Sequence, residues 1–328
     1  MMALVLTLAV ALAPAGAGAQ DHSHHHHHDH DASEGHTHHQ GGPVECTSLA
    51  APPWSGLSAS DLQLIRELQE AIAGLDTPEA ARQAGFRPAF GNIPTMGVHW
   101  IHQGRMARGF DPGEPDHLMF APVNGEETLV GIAYAFIGPP DADIPASFES
   151  ALAHWHDHPE LGGSGQTLHM LHVWLVPSPY GPFAGNNFAL PFMGHGITPP
   201  DACWIQSDED VERLEVVGSA FALAEWATGG GGGEALEHLI GQGAAASEQG
   251  AGGRAAGAAA LRMGERLASS LEEWGAALDL AAQDGDAEAW RAAADGLIEG
   301  LGPVQRQAVE ALRLGVTGVQ ASSAGRDE

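Results

Sequence analysis

HLMFAPVNGEETLVGIAYAF, residues 117–136, reads as two strands joined by a tight turn. Asn124 and Gly125 both tolerate the positive φ of a two-residue hairpin, and the flanking runs are rich in valine, aromatic residues and glycine. The spacing therefore predicts antiparallel strands over His117 to Val123 and Glu127 to Phe136. Working outward, Met96 to His102 and Thr167 to Val176 have the same character and complete a small antiparallel sheet. Between them, Ser147 with Glu149 in its first turn predicts a helix carrying Phe148, Leu152 and Trp155 that stops at Pro159.

Upstream, Leu62, Ile65, Leu68 and Ile72 follow a helical period, with Ser60 and Asp61 placed to satisfy the first free amides. That helix spans about Ala59 to Ala73. A second opens at Thr77-Pro78-Glu79 and ends at Gly85. Beyond Cys203 alanine, glycine and glutamate dominate, and strand formers are scarce. Leu261, Leu267, Leu271, Trp274 and Leu278 form one apolar stripe, and Trp290, Ala294, Leu297 and Leu301 another after Asp284-Gly285-Asp286. The fold class is thus α+β: a small antiparallel sheet with flanking helices, followed by a C-terminal helical hairpin, an appended structural or docking element. The boundaries read as an α+β domain over 46–205, a helix and glycine-rich linker over 206–257, the hairpin over 258–316 and a disordered tail over 317–328.

The 42 acidic residues outweigh 13 basic ones, all arginine, for a net charge of −29. Such a surface excludes nucleic acid as an expected partner, because it repels polyanions and concentrates cations instead. Residues Ala3 to Ala13 form an apolar run of signal-peptide length, and Ala17-Gly18-Ala19 supplies small residues for cleavage near Ala19. A spanning helix needs roughly 20 apolar residues, so the reading is a signal peptide over 1–19 and a periplasmic or secreted protein with no stable membrane insertion. Missing is a basic n-region, since no Lys or Arg precedes Arg66. Cys46 and Cys203, the two cysteines, read in an exported chain as one disulfide, with two independent buried thiols as the alternative.

Residues 20–45 read as a disordered metal-binding tail. His22, His24, His25, His26, His27, His28, His30, His36, His38 and His39 are ten of the chain's twenty histidines, interleaved with Asp21, Asp29, Asp31 and Glu34. Neutral imidazoles and carboxylates ligate zinc, nickel and copper, and a flexible string can wrap an ion without imposing a geometry. Binding requires deprotonated rings, so affinity should fall as pH drops below about 6.5.

A second constellation lies in the folded part: His99 and His102, the His154-Trp155-His156-Asp157-His158 run, and His169 and His172. Alternate residues of a strand share a face, so His172 lies with Met170 and Trp174, and His169 lies opposite. In the run, a helix aligns His154 with His158, whereas an extended chain aligns all three histidines. His156-x-His158 with a distant third histidine suits a three-histidine metal site that leaves one position open. The alternative is a buried hydrogen-bond network of no further function.

Ala80 to Phe86, Met96-Gly97-Val98-His99-Trp100, and Leu171-His172-Val173-Trp174-Leu175 followed by Pro179, Gly181, Phe183, Ala184 and Asn187 resemble an uncharacterised family of secreted bacterial proteins. Its members share an MGxHY segment and an HVWLW segment followed by NPxGxFAxxNP. The resemblance covers residues 79–188 and departs from the pattern at Trp100, Val176, Ser178 and Phe188, and at Ala133, where Glu is expected. It implies export, a common fold and His99 and His172 as shared features, and assigns no reaction.

GxSxG, HExxH and GxxxxGK[ST] are all missing, and without lysine there is no Schiff-base chemistry. The expected function is an exported binding protein for zinc or copper. The tail captures the ion, and His99, His156, His158 and His172, with His154 adjoining, hold one in the folded domain. The alternative is a metal-dependent hydrolase using the same histidines with an open coordination position, its pocket lined by Trp100, Trp155 and Trp174.

Overall fold

The computed structural model describes residues 58–149, 155–158, 165–227 and 253–321, with Ala153 and Gly162. The apolar leader, the His tract, Cys46, His154 and the Gly229–Gly233 run lie outside the described residues.

Among the described residues, six strands form one antiparallel sheet: β1 (Arg87–Ile93), β2 (Gly97–Ile101), β3 (His117–Val123), β4 (Glu126–Gly138), β5 (His156–His158) and β6 (Thr167–Trp174), ordered β1-β2-β3-β4-β6-β5. The hairpin turn is as the sequence predicts, with φ of 52° at Asn124 and 82° at Gly125, both left-handed as a type I′ turn requires. β1 is an additional strand at the sheet edge, where Pro88 is tolerated because an edge strand can leave one side of its backbone unpaired.

Two readings are corrected. α1 (Ala59–Ala71) is capped by Ser58, whose hydroxyl accepts from Asp61 N at 3.0 Å. Asp61 accepts instead from the Glu149 amide at 2.7 Å, tying the helix to the loop ahead of β5. The helix expected from Ser147 to Pro159 does not form over its described residues: Ser147 and Phe148 are irregular, and His156–His158 pair with Leu168–Met170 as β5. A free strand edge on β6 offers the run backbone partners that outweigh a local capping signal. α2 (Pro78–Gln83) forms as expected, Thr77 Oγ1 accepting from Ala80 N at 3.2 Å.

One sheet face packs Trp100, Leu118, Phe120, Ile132, Tyr134, Leu171 and Val173 against Ile65, Leu68 and Ile72 of α1 and Ala81 of α2. The other face carries Met119, Ala133, Ala135, Met170 and Trp174 and is covered by the chain from Tyr180 through α4 (Leu190–Gly194). A short α3 (Gln103–Met106) joins β2 to β3. Behind the covering segment, Phe188, Phe192 and Ile197 share a core with α5 (Asp208–Glu225), α6 (Gly253–Asp284), α7 (Ala287–Gly300) and α8 (Pro303–Ala321). The expected hairpin is α6–α7, turning at Gly285 with φ 70°, and it continues past Leu301 into α8. Through that shared core the helices are integral to the sheet domain rather than appended to it. Among the described residues, no helix is long and apolar enough to cross a membrane.

Candidate metal centre

Sheet register builds the site. Ile101, His117, Ala133 and His172 lie side by side in one cross-strand row, and His99, Met119, Gly131 and Trp174 occupy the row two residues along. Directly paired residues, and residues two apart on one strand, share a face, so the seven side chains of these rows, and the bare Gly131, stand on the side covered by the Tyr180 segment. On β5, His156 pairs with Met170 and His158 with Leu168, which extends the same face by two more imidazoles.

β4 supplies Gly131, Ala133 and Ala135 to this face, a low floor between taller neighbours. Across it, rings from non-adjacent strands meet. His99 Nε2 of β2 lies 3.3 Å from His172 Nε2 of β6. The His156 ring is 4.7 Å from His172 and 5.0 Å from His158, and His117 is 6.0 Å from His99, all centroid to centroid. The five histidines are at most 6% exposed.

Outer partners fix the rings. His172 Nδ1 donates to Gly185 O at 2.9 Å, which places the proton on Nδ1 and leaves Nε2 of the neutral ring as a lone pair. Gly185 belongs to the covering segment, itself anchored by Trp174 N to Pro182 O at 2.7 Å and Asn187 N to Thr95 O at 2.9 Å. Burial, followed by the charges of His172, His117 and His158, holds the His99 imidazole well below its usual range, so it is neutral.

Two buried imidazoles with ring nitrogens 3.3 Å apart have two readings. The first is a hydrogen bond from His99 Nε2–H to His172, longer than the usual N–H···O distance of about 2.9–3.0 Å. Two nitrogens on a tetrahedral zinc, each at about 2.0–2.1 Å, stand about 3.3–3.4 Å apart, which is the separation seen. Among the described residues no three His, Cys, Asp or Glu side chains have their donor atoms gathered about one point. The arrangement fits an ion at the His99–His172 pair, with neighbouring rings needing to turn inward to complete a shell.

His99, His156, His158 and His172 are thus brought to one face, while His154 lies outside the described residues. His169 is excluded: it stands on the opposite face, bonded at both ring nitrogens, to Asp157 at 2.7 Å and Pro139 O at 3.0 Å, and stacks on Phe136. His102 is excluded as well, since Nδ1 caps α3 by accepting from Arg105 N at 3.1 Å. Of the three tryptophans expected to line a pocket, only Trp174 is near, 5.8 Å from His172. Trp100 and Trp155 each follow or precede a site histidine by one residue and so point to the other face, against Phe120 and against Phe110 and Phe136. His117 is the histidine that spacing alone did not single out. Counting back from the Asn124-Gly125 turn along both strands sets it opposite Ala133 or its neighbour, a signal present in the sequence.

Compared with known protein families, with curated proteins and with solved structures, the chain matches none.

Proposed function

We propose that this is an exported protein that binds one zinc or copper ion in its folded domain, with the His22–His39 tract capturing ions for it. The supporting observation is the buried His99–His172 pair at ligand spacing, with His99 held neutral and His172 Nδ1 committed to the Gly185 carbonyl. Metal-bound histidines characteristically donate their second ring nitrogen to such an acceptor, which fixes the tautomer and aims the lone pair. His156 and His158 are the nearest candidates to complete the shell. The tract, tethered to the same chain, would raise the local ion concentration. Export, a Cys46–Cys203 disulfide and kinship with the secreted family resembled by residues 79–188 belong to the same proposal. Burial of every site imidazole favours holding an ion over hydrolysis, which needs a water and a substrate at an open position.

The test uses the full chain with the ten tract histidines replaced by glutamine, loaded with zinc or copper, dialysed and assayed by elemental analysis. One ion per chain, lost in His172→Ala, is the expected result. No bound ion and no thermal shift on adding either metal would sink the proposal.

A further inference from the structure

His117 stands in the same cross-strand row as His172, separated from it only by Ala133, and its ring sits edge-on to His99. It is 1% exposed. Its Nδ1 hydrogen-bonds the carboxylate of Asp116, itself 2% exposed. Both Asp116 oxygens also accept from the Ala135 amide, at 3.1 and 3.2 Å. Ala135 lies on the site face of β4, so the strand that forms the floor also fixes the carboxylate.

Burying a carboxylate is costly unless something compensates it. Among the described residues, the groups that meet it are one peptide N–H and one imidazole. A carboxylate behind Nδ1 keeps the proton there, turns Nε2 of the neutral ring into a lone pair and raises that nitrogen's basicity, the outer arrangement found behind metal-bound histidines. His172 has a carbonyl in the equivalent role, so two rings of one row carry the same kind of outer partner on Nδ1.

The geometry points to His117 as a further ligand of the ion held by His99 and His172, with Asp116 as its positioning residue. This rests on the metal-binding reading above. The three imidazoles, with His156 beside His172 as a fourth, make an all-nitrogen set, which suits zinc and copper(II) and not the oxygen-seeking magnesium or calcium. Loading draws the His117 and His156 rings toward the His99–His172 pair.

The experiment takes the full-length chain with the glutamine-substituted tract and loads it with cobalt(II) as a paramagnetic probe. Proton NMR then detects exchangeable ring N–H signals shifted by the ion, and selective labelling assigns them. Shifted Nδ1–H signals from both His117 and His172 are expected. Asp116→Asn should weaken zinc binding by about 10–100-fold, measured against a competing chelator, and move the pH at which half the ion is released. His117→Gln should weaken it further, whereas His102→Gln, at the α3 cap, should leave it unchanged. A shifted His172 signal without one from His117, or unaltered affinity in His117→Gln, overturns the assignment and leaves the proposed function standing. A chain that takes up no ion at all overturns both. The NMR arm needs no variant at the site, so a substitution that impairs folding cannot blur the outcome.

Discussion

His99 on β2 and His172 on β6 meet nitrogen to nitrogen at 3.3 Å although two strands stand between theirs. The meeting depends on what those strands carry on the shared face, since the small side chains of β4 let the rings lean across. It follows that metal should stabilise the fold through this pair. At a free ion concentration one hundred times Kd, a single site that exists only in the folded state adds about 2.7 kcal/mol. Calorimetry on the tract-substituted chain should show that increment, and His99→Gln or His172→Ala should each abolish it.

Stability without metal should fall in acid through His99. Its folded pKa is depressed well below 6.5, so between the two values the unfolded chain binds the extra proton. Stability contributed by neutral His99 is therefore intact above about 6.5 and lost as pH falls below it, at up to about 1.4 kcal/mol per pH unit. Urea midpoints measured from pH 7.5 to 5 should decline more gently in His99→Gln than in the parent; equal slopes would refute the assignment.

Glu225 works in the opposite sense. Burial raises its carboxyl to about 7, partly offset by the 2.7 Å hydrogen bond from Asn92 Nδ2. Between its usual 4.5 and about 7 the folded chain holds the proton and the unfolded chain has released it, so stability falls as pH rises through that window. Glu225→Gln should remove this loss. The variant's midpoint should gain on the parent's steadily from pH 4.5 to 7.

Gly131→Ala should damage the floor directly. A Cβ there would lie 2.3 Å from Met119 Cε and 3.0 Å from Val173 O, and although the methionine tip can swing away, the carbonyl of the neighbouring strand cannot. Overpacking of this kind costs about 1–3 kcal/mol. Chemical denaturation measures that cost, and chelator competition on the same variant should show weaker zinc binding.

Asp286→Ala probes the helical region by itself. Asp286 Oδ1 accepts from Glu288 N at 3.1 Å and Ala289 N at 2.9 Å, capping α7. Its loss should cost about 1 kcal/mol without altering metal affinity.

The sheet was legible where side chains carry a local period. The turn at Asn124-Gly125, the strand His117–Val123 and the opposite facings of His169 and His172 all follow from residue types and alternation. β5 was obscured because Ser147, Glu149 and Pro159 carry the chemistry of helix ends, while its three residues become a strand only by pairing with β6. Likewise, Asp116-His117 opens a strand and looks locally like a polar boundary. Its membership in the site emerges only when β2, β3, β4 and β6 are laid side by side. α8 was not legible as a separate helix: the second apolar stripe ends at Leu301 while the hairpin's expected bounds run on to 316, and Pro303 instead opens a helix of its own.

The two nitrogens of the His99–His172 pair are 73 residues apart in sequence and come together only when β2 to β4 and β6 are all in register. Such long-range closures form late, because their loop entropy is spent before any contact repays it. On the proposed function, ion uptake by the folded domain would be a clock for maturation: a chain stalled with β3–β4 zipped and β6 still undocked would have its hairpin but not the paired imidazoles, and would gain them at the moment the sheet is finished.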